Sequence, residues 1–186
     1  ANSHTLEILN IIGIYSIAAI GLNILTGRTG MISLGHSAIF GLGAYTALIL
    51  ANAFSSPFWI AVPAGGAVAA LIGTFFGLPA FRLRGFYLCF TTLAGQKILE
   101  FVFIHWKGIT GGPEGILISD TAFFMMDLKK DILLYYIIFL SLTLMIWMAV
   151  NLLRSRFGRA MLAVRDDEKT AEVMGIPTIG YKVLSF

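Results

Sequence analysis

Charged side chains are scarce in this chain of 186 residues. Only 12% of the residues are Asp, Glu, Lys or Arg, against about 25% in a typical soluble domain. No charged residue occurs between Thr29 and Phe81 or between Ile132 and Leu153. So few charges cannot cover a globular surface in water, which excludes a soluble domain. The hydrophobic content of 58% also excludes a disordered chain, because disordered chains are poor in apolar residues.

Cysteine is almost absent as well. The one cysteine, Cys89, excludes an internal disulfide and gives no second thiol for a metal site. Three motifs of catalytic or phosphate-binding sites are also missing: G-x-x-x-x-G-K-[ST], G-x-S-x-G and H-E-x-x-H. We therefore expect no catalytic residue, no bound metal and no cofactor in this chain.

What the sequence does contain is long apolar runs. A helix of about 20 apolar residues crosses the hydrocarbon core of a bilayer. The sequence predicts an all-α, polytopic transmembrane bundle with five spans, and a sixth that begins after Pro177. Because the chain starts without Met and stops inside this sixth segment, we expect an internal fragment, with residues 1–186 forming one truncated transmembrane domain. The predicted spans are 8–27, 31–53, 58–80, 86–106 and 132–153.

The orientation is predicted from the Lys and Arg residues, which are enriched in short cytoplasmic loops. Of the 13 Lys and Arg residues, nine then fall inside and three outside, and the remaining one, Lys97, lies within the fourth predicted span. This places residue 1 outside and residues 154–177 in the cytoplasm of a multi-pass protein. The inside residues are Arg28, Arg82, Arg84, Arg154, Arg156, Arg159, Arg165, Lys169 and Lys182, and the outside ones are Lys107, Lys129 and Lys130.

Two groups of polar residues lie within the predicted spans. Ser33 and His36 belong to a glycine-rich stretch, 27–45, of the kind found where a broken helix lines a cavity. Lys97 and Glu100 stand three residues apart in the fourth span, where an isolated charge costs at least about 2.5 kcal/mol. All four residues are candidates for a translocation path. The alternatives are a hydrogen-bonded interior histidine and an internal Lys–Glu ion pair.

Two further patterns concern packing and turns. Gly66, Ala70, Gly73 and Gly77 form a run of small residues in the third span, which favours close helix packing, or else a flexible helix. Residues 110–116 predict a tight turn outside the membrane, with a docking element for an external partner as the alternative.

The segment that follows Leu153 predicts a short capped helix. Asp166 or Asp167 is a candidate N-cap, Glu168 suits the first turn, and Gly175 favours a helix end. Four nearby residues would form a small apolar surface: Ala171, Val173, Met174 and Ile176. The segment is either a solvated loop or a helix that enters a groove of a partner.

Taken together, three ordered motifs resemble the permease family of ABC importers for branched-chain amino acids. They lie at residues 21–45, at 84–93 together with Trp106 and 110–116, and at 155–176. The second motif is similar to the second, M-type permease of such systems. One feature departs from the family, in which an acid often precedes a base in the fourth span. Here Lys97 precedes Glu100, which favours a structural ion pair.

The resemblance implies a membrane-spanning subunit that works by alternating access in the bacterial plasma (inner) membrane, driven by ATP hydrolysis on separate subunits. The implied partners are a second permease, two ATPase subunits and a periplasmic or lipid-anchored substrate-binding protein, with no nucleic acid. An importer of urea or short amides, a stand-alone secondary transporter and an intramembrane enzyme are the alternatives. The residues implied in ATPase coupling are Arg159, Arg165, Asp167, Glu168, Glu172 and Gly175.

Overall fold

The computed structural model describes residues 3–54, 57–80, 86–116 and 130–186, and within these ranges every regular element is helical. The predicted all-α class is confirmed. The elements are α1 (Ser3–Asn23), a π-helical turn (Ile24–Arg28), α2 (His36–Phe54), α3 (Phe58–Ala80), α4 (Phe86–His105), α5 (Lys107–Thr110), a 3-10 turn (Gly112–Glu114), α6 (Lys130–Arg154), α7 (Arg156–Asp166), α8 (Glu168–Val173) and α9 (Thr178–Ser185).

Several of these helices match the length of a bilayer. In the part of the chain that the structure describes, four stretches are long and apolar enough to cross a membrane: His4–Arg28, His36–Ala53, Tyr87–His105 and Ile132–Arg154. The third predicted span coincides with α3, which contains a shorter apolar stretch, Trp59–Phe75. These helices confirm a polytopic bundle. Helix α9 begins where the sixth span was predicted.

The second helix begins five residues later than predicted, at His36 rather than Met31. The Leu34 N–H donates to Thr92 Oγ1 at 3.1 Å instead of joining a helix. Gly35 lies so close to the backbone of Thr92 that a Cβ atom at Gly35 would overlap the Thr92 carbonyl. Contacts with α4 therefore keep the residues before His36 out of the helix.

The chain divides into two compact units. The first contains α1 and the π-helical turn together with α6–α9, and the second contains α2–α5. In the first unit α1 packs against α6. Gly13 permits this approach, because a Cβ atom there would lie 2.5 Å from the Ile138 Cγ2 methyl.

In the second unit, α2 and α3 pack antiparallel through small residues. A Cβ atom at Gly65 would lie 2.6 Å from the Gly43 carbonyl oxygen and 2.9 Å from Ala47 Cβ, so only glycine fits there. Gly73 faces Ile39 with more room, since a Cβ atom there would lie 3.4 Å from Ile39 Cδ1, an ordinary van der Waals contact. Thr46 Oγ1 donates across the pair to the Gly65 carbonyl at 3.4 Å. Backbones that approach this closely gain van der Waals contact where lipid provides no hydrophobic drive.

The prediction for this packing face was wrong in register. Gly66 and Ala70 are exposed, and nothing lies within 4 Å of a Cβ atom built at Gly66. Of the predicted stripe, Gly73 is on the buried face. Gly77 lies outside the described side chains. The buried stripe is one residue earlier in its first half and contains Ala61, Gly65, Ala69 and Gly73.

Candidate functional site

The first candidate site is the short helix α8 and its surroundings. Asp167 is its N-cap: the carboxylate accepts hydrogen bonds from the N–H groups of Lys169, at 2.9 Å, and Thr170, at 3.4 Å. The Thr170 hydroxyl donates to the same carboxylate at 2.8 Å. The bond from the Thr170 side chain, followed by the two backbone bonds, holds the pKa of Asp167 below its ordinary value. The predicted cap is confirmed at Asp167.

The other end of α8 is closed by its backbone. Gly175 adopts a left-handed conformation with φ of 81°. The Ile176 N–H donates to the Ala171 carbonyl, and the Gly175 N–H donates to the Glu172 carbonyl, both at 3.0 Å. This pair of bonds is a Schellman motif, which satisfies carbonyls that a helix end otherwise leaves open. A helix of only six residues is thereby ordered at both ends.

A salt bridge joins α8 to α9. Lys182 Nζ lies 2.6 Å from Glu168 Oε1, and the two side chains are only 6% and 19% exposed. The two residues are separated by the turn around Gly175, so the bridge connects two helices rather than two turns of one. Glu168, a predicted coupling residue, therefore contacts this chain's own α9. This partner of Glu168 was not predicted from the sequence.

A second connection runs from α7 to the end of α1. Arg165 Nη1 donates to the Gly27 carbonyl in the π-helical turn at 2.5 Å. The aliphatic part of Arg165 covers Gly30, where a Cβ atom would lie 3.1 Å from Arg165 Cγ. The carbonyls in the last turn of a helix lack partners within it, so the guanidinium satisfies a group that α1 leaves open. Arg165 thus ties the charged segment to α1.

The remaining residues of this segment face outward or support it. Arg159 and Glu172 are exposed, and Arg159 Nη1 donates to the Arg154 carbonyl at 3.2 Å. Val173 and Met174 are 90% and 78% exposed, whereas Ala171 is buried. The predicted apolar surface therefore consists mainly of Val173 and Met174. Asp166 was a candidate cap of the short helix, but it is the last residue of α7, a separate helix that the sequence did not predict.

The second candidate site is on α4. Lys97 Nζ lies 2.8 Å from Glu100 Oε2, so the predicted ion pair is present. It does not face the interior of the described chain: the Lys97 and Glu100 side chains are 67% and 49% exposed. The pair lies within a membrane-length stretch, Tyr87–His105.

A groove of about 180 Å³ lies between α2 and α4, next to this ion pair. Gln96, which was not predicted from the sequence, lines this groove and also a smaller adjacent cavity that contains Gly35 and Thr92. Its i to i+4 spacing from Glu100 was the signal that could have identified it. The groove is lined by Ser37, Ala38 and Gly41 from α2 and by Gln96, Glu100 and Phe103 from α4.

The other predicted path residues, Ser33 and His36, lie at the start of α2. Ser33 is buried, and its hydroxyl has no hydrogen-bond partner among the described residues. His36 is half-buried in the first turn of the helix. Neither residue lines the groove beside Glu100. Within the described ranges, no group of three or more His, Cys, Asp or Glu residues is arranged to hold a metal ion.

The predicted turn at residues 110–116 is confirmed. Thr110 Oγ1 donates to the Phe103 carbonyl at 2.7 Å, which folds the turn back onto α4. Gly111, Gly112 and Gly115 all have positive φ angles between 65° and 74°, which glycine adopts without steric penalty.

Comparison with known proteins identifies the family of the chain. Residues 4–186 match the family model described as the permease component of branched-chain amino acid transport systems. The chain is 32% identical to the high-affinity branched-chain amino acid transport system permease protein LivM of Escherichia coli strain K12. It is 30% identical to the LivM protein of Salmonella typhimurium. Each alignment covers 98% of this chain and 48% of the relative.

A more distant relative is the probable branched-chain amino acid transport permease protein LivM of Methanocaldococcus jannaschii. It is 27% identical over 56% of this chain and 30% of the relative. The chain spans about half the length of the first two relatives. No solved structure matches it. The family model, in contrast, covers nearly every residue, and the chain therefore belongs to the permease-component family of branched-chain amino acid transport systems.

Proposed function

We propose that this chain is part of a membrane permease subunit that imports branched-chain amino acids and is driven by separate ATPase subunits. Membership of the permease family supports the class of transporter. The observation that carries the mechanism is α8, a six-residue helix ordered at both ends, with its last residue Val173 and its C-cap Met174 exposed to solvent. Exposed apolar side chains on a rigid helix suit a groove on a partner protein.

The connections of α8 suggest how a partner would act on the membrane helices. The Glu168–Lys182 bridge holds α8 to α9. Arg165 in α7 holds the end of α1. A displacement of α8 by an ATPase would therefore move α9 directly, and through α7 it would pull on α1. ATP binding can change the transport state only through such differential contacts.

The proposed arrangement places residues 154–177 on the cytoplasmic side of a bacterial inner membrane. The concentration of Arg and Lys in this segment supports this orientation, because short cytoplasmic loops carry an excess of positive residues. A substrate-binding protein would face the chain on the opposite side of the membrane. A second permease would accompany it within the membrane. Purification of the protein from native membranes, followed by identification of co-purified subunits, tests this set of partners.

Uptake assays test the substrate class. The purified assembly, with its binding protein, is reconstituted in liposomes that contain ATP at the ATPase side. We expect ATP-dependent uptake of leucine, isoleucine and valine. Uptake of urea or short amides in their place would identify a different importer. Uptake that proceeds without any ATPase subunit would reject the ABC mechanism.

The contact at α8 is tested by the double variant Val173→Ser, Met174→Ser. Full burial of each apolar side chain contributes about 1.5–3 kcal/mol. Loss of both contacts should therefore weaken ATPase association at least about tenfold. The matched control is Lys169→Gln, an exposed polar change in the same helix. Equal ATPase association of both variants would contradict the proposed contact.

A further inference from the structure

The Lys97–Glu100 pair lies within a predicted membrane span, where contact of its charges with lipid would be costly. Both residues lie in the second half of the 20-residue helix α4, at least one helical turn from its end, and about half or more of each side chain is exposed. Charged side chains in the hydrocarbon core are costly and face a protein interior or a water-filled cavity instead. The face of α4 that carries the pair is therefore covered by water or by protein.

The adjoining groove favours water. Glu100 lines this groove, whose volume of about 180 Å³ holds several water molecules at roughly 30 Å³ each. The wall of the groove combines the polar groups of Ser37 and Gln96 with the apolar surface of Ala38 and Phe103. A mixed wall of this kind suits a small molecule with a polar head and an apolar side chain.

We propose that Lys97 and Glu100 bind the charged head group of a zwitterionic amino acid on its way through the membrane. This inference rests on the proposed function, which supplies the class of substrate. The Glu100 carboxylate accepts hydrogen bonds from the substrate ammonium, and the Lys97 ammonium donates to the substrate carboxylate. The aliphatic side chain of the substrate lies in the groove against Ala38, Gly41 and Phe103.

The ion pair makes such a site self-balanced. When the path is empty, Lys97 and Glu100 neutralise each other at 2.8 Å. When a zwitterion enters, each charge exchanges its internal partner for one on the substrate, and the net charge does not change. Because one ion pair is lost as two contacts form, binding stays weak. Weak binding suits transport, since a tightly held substrate would not leave the site.

A purely structural role explains less. Exposed ion pairs contribute about 0–1 kcal/mol to stability, and an i,i+3 pair on a single helix ties no second element to it. The Lys97–Glu100 pair therefore does little to hold the fold, whereas its two charges within a membrane span need a polar environment.

Charge reversal separates the two roles. Uptake of leucine is measured in liposomes with the complete assembly that carries Lys97→Gln, Glu100→Gln or the double change Lys97→Glu, Glu100→Lys. A charge-assisted hydrogen bond contributes about 1.5–3 kcal/mol, so each single variant should lose about ten- to a hundredfold in uptake. The reversed pair should remain impaired, because a bound zwitterion would have to turn end for end and remove its side chain from the groove. Restored uptake would overturn the proposal in favour of a structural pair.

Head-group recognition is measured directly by binding of labelled leucine to the membrane assembly without its binding protein. The competitors are leucinamide, which lacks the carboxylate, and 4-methylpentanoate, which lacks the ammonium group. The wild type should favour leucine over both. Lys97→Gln should lose the discrimination against leucinamide, and Glu100→Gln the discrimination against 4-methylpentanoate. Unchanged discrimination in both variants would overturn the proposal.

Two further variants complete the design. Glu7→Gln is the matched control, because Glu7 forms an exposed i,i+3 pair with His4 at 3.7 Å near the start of α1; its uptake should equal that of the wild type. If a charge variant fails to assemble, Gly41→Val decides, since it fills the groove next to Phe103. It should impair leucine uptake more than alanine uptake, and equal effects would overturn the proposal. Wild-type uptake tests the proposed function separately.

Discussion

Two ion pairs with nearly equal distances occupy different surroundings. Lys182 and Glu168 approach to 2.6 Å, and Lys97 and Glu100 to 2.8 Å. The first pair is mostly buried and joins two helices, whereas the second is exposed and lies within one helix. The comparison shows that distance alone does not define the role of a charge pair. A buried pair fixes the elements that it joins, and an exposed pair can exchange its partners.

The energetic basis of this difference is desolvation. Removal of one member of a buried pair leaves an uncompensated charge and is strongly destabilising. Exposed pairs contribute little, because water solvates either member after the other is lost. If the comparison is correct, equivalent substitutions in the two pairs must have unequal effects on the fold.

The largest effect is expected for Lys182→Met. This change removes the cation beside Glu168, which has little access to water. We expect the free energy of unfolding to fall by about 2–3 kcal/mol. This is less than the 3–5 kcal/mol typical of fully buried pairs, because Glu168 is partly exposed. Hydrogen exchange of the purified assembly should show reduced protection across residues 168–185. Lys169→Met removes an exposed lysine nearby and should leave protection unchanged. If Lys182→Met keeps the hydrogen-exchange protection of the wild type, the buried pair stabilises the fold no more than the exposed pair does, which would contradict the comparison.

The Glu168–Lys182 contact also affects how Glu168 can be tested as a predicted coupling residue. If Glu168 contacts an ATPase, Glu168→Lys should uncouple ATP hydrolysis from transport. Because Glu168 contacts Lys182, that change would place two cations together, so a loss of coupling in Glu168→Lys would not by itself reveal an ATPase contact. Val173 and Met174, which are exposed, give the cleaner test of that contact.

The next effect concerns the helix pair that supports the groove beside Glu100. Gly65→Val would force α3 away from Gly43 and Ala47 of α2. Overpacking of this kind costs about 1–3 kcal/mol, and the thermal unfolding temperature of the assembly should fall. Gly66→Val, one residue along the same helix, meets open space and should have a much smaller effect. Equal effects of the two variants would show that the exposed face of α3 is also packed.

The glycines of α3 show what the sequence can and cannot predict. Its bounds follow from an apolar run, so residues 58–80 were predicted correctly. The packing face was not, because Gly65 and Ala69 alternate with Gly66 and Ala70. Two stripes of equal spacing then exist on one helix, and a spacing rule cannot choose between them. The choice depends on Gly43 and Ala47, which belong to another helix.

The candidate sites show the same limit. Capping is local, so Asp167 and Gly175 could be identified from the residues beside them. The partner of Glu168 could not, because the direction of the chain after Gly175 determines whether Lys182 returns to α8. The Lys97–Glu100 pair was predictable from i,i+3 spacing, but its exposure was not, since that depends on how α2 and α4 pack.

A smaller effect is expected from the cap of α8. Asp167→Ala removes the acceptor of three hydrogen bonds, so the amides of residues 168–173 should exchange faster. The lowered pKa of Asp167 also predicts pH dependence. The stabilisation is complete above the ordinary Asp value of about 3.9 and is lost as the pH falls through the lower folded value. Protection should therefore decline only in acid, and Asp167→Asn should abolish that dependence.

The smallest effect on the fold is expected for Lys97→Gln. An exposed pair contributes at most about 1 kcal/mol, so the thermal unfolding temperature of the assembly should change little even where leucine uptake is lost. The environment of Glu100 determines this outcome. If Glu100 faces a water-filled groove, loss of its partner leaves a solvated carboxylate at little cost. If another protein surface covers Glu100, the decrease in stability of Lys97→Gln should approach that of Lys182→Met. A large decrease in unfolding temperature would therefore make the two ion pairs alike and remove the physical basis for a head-group site.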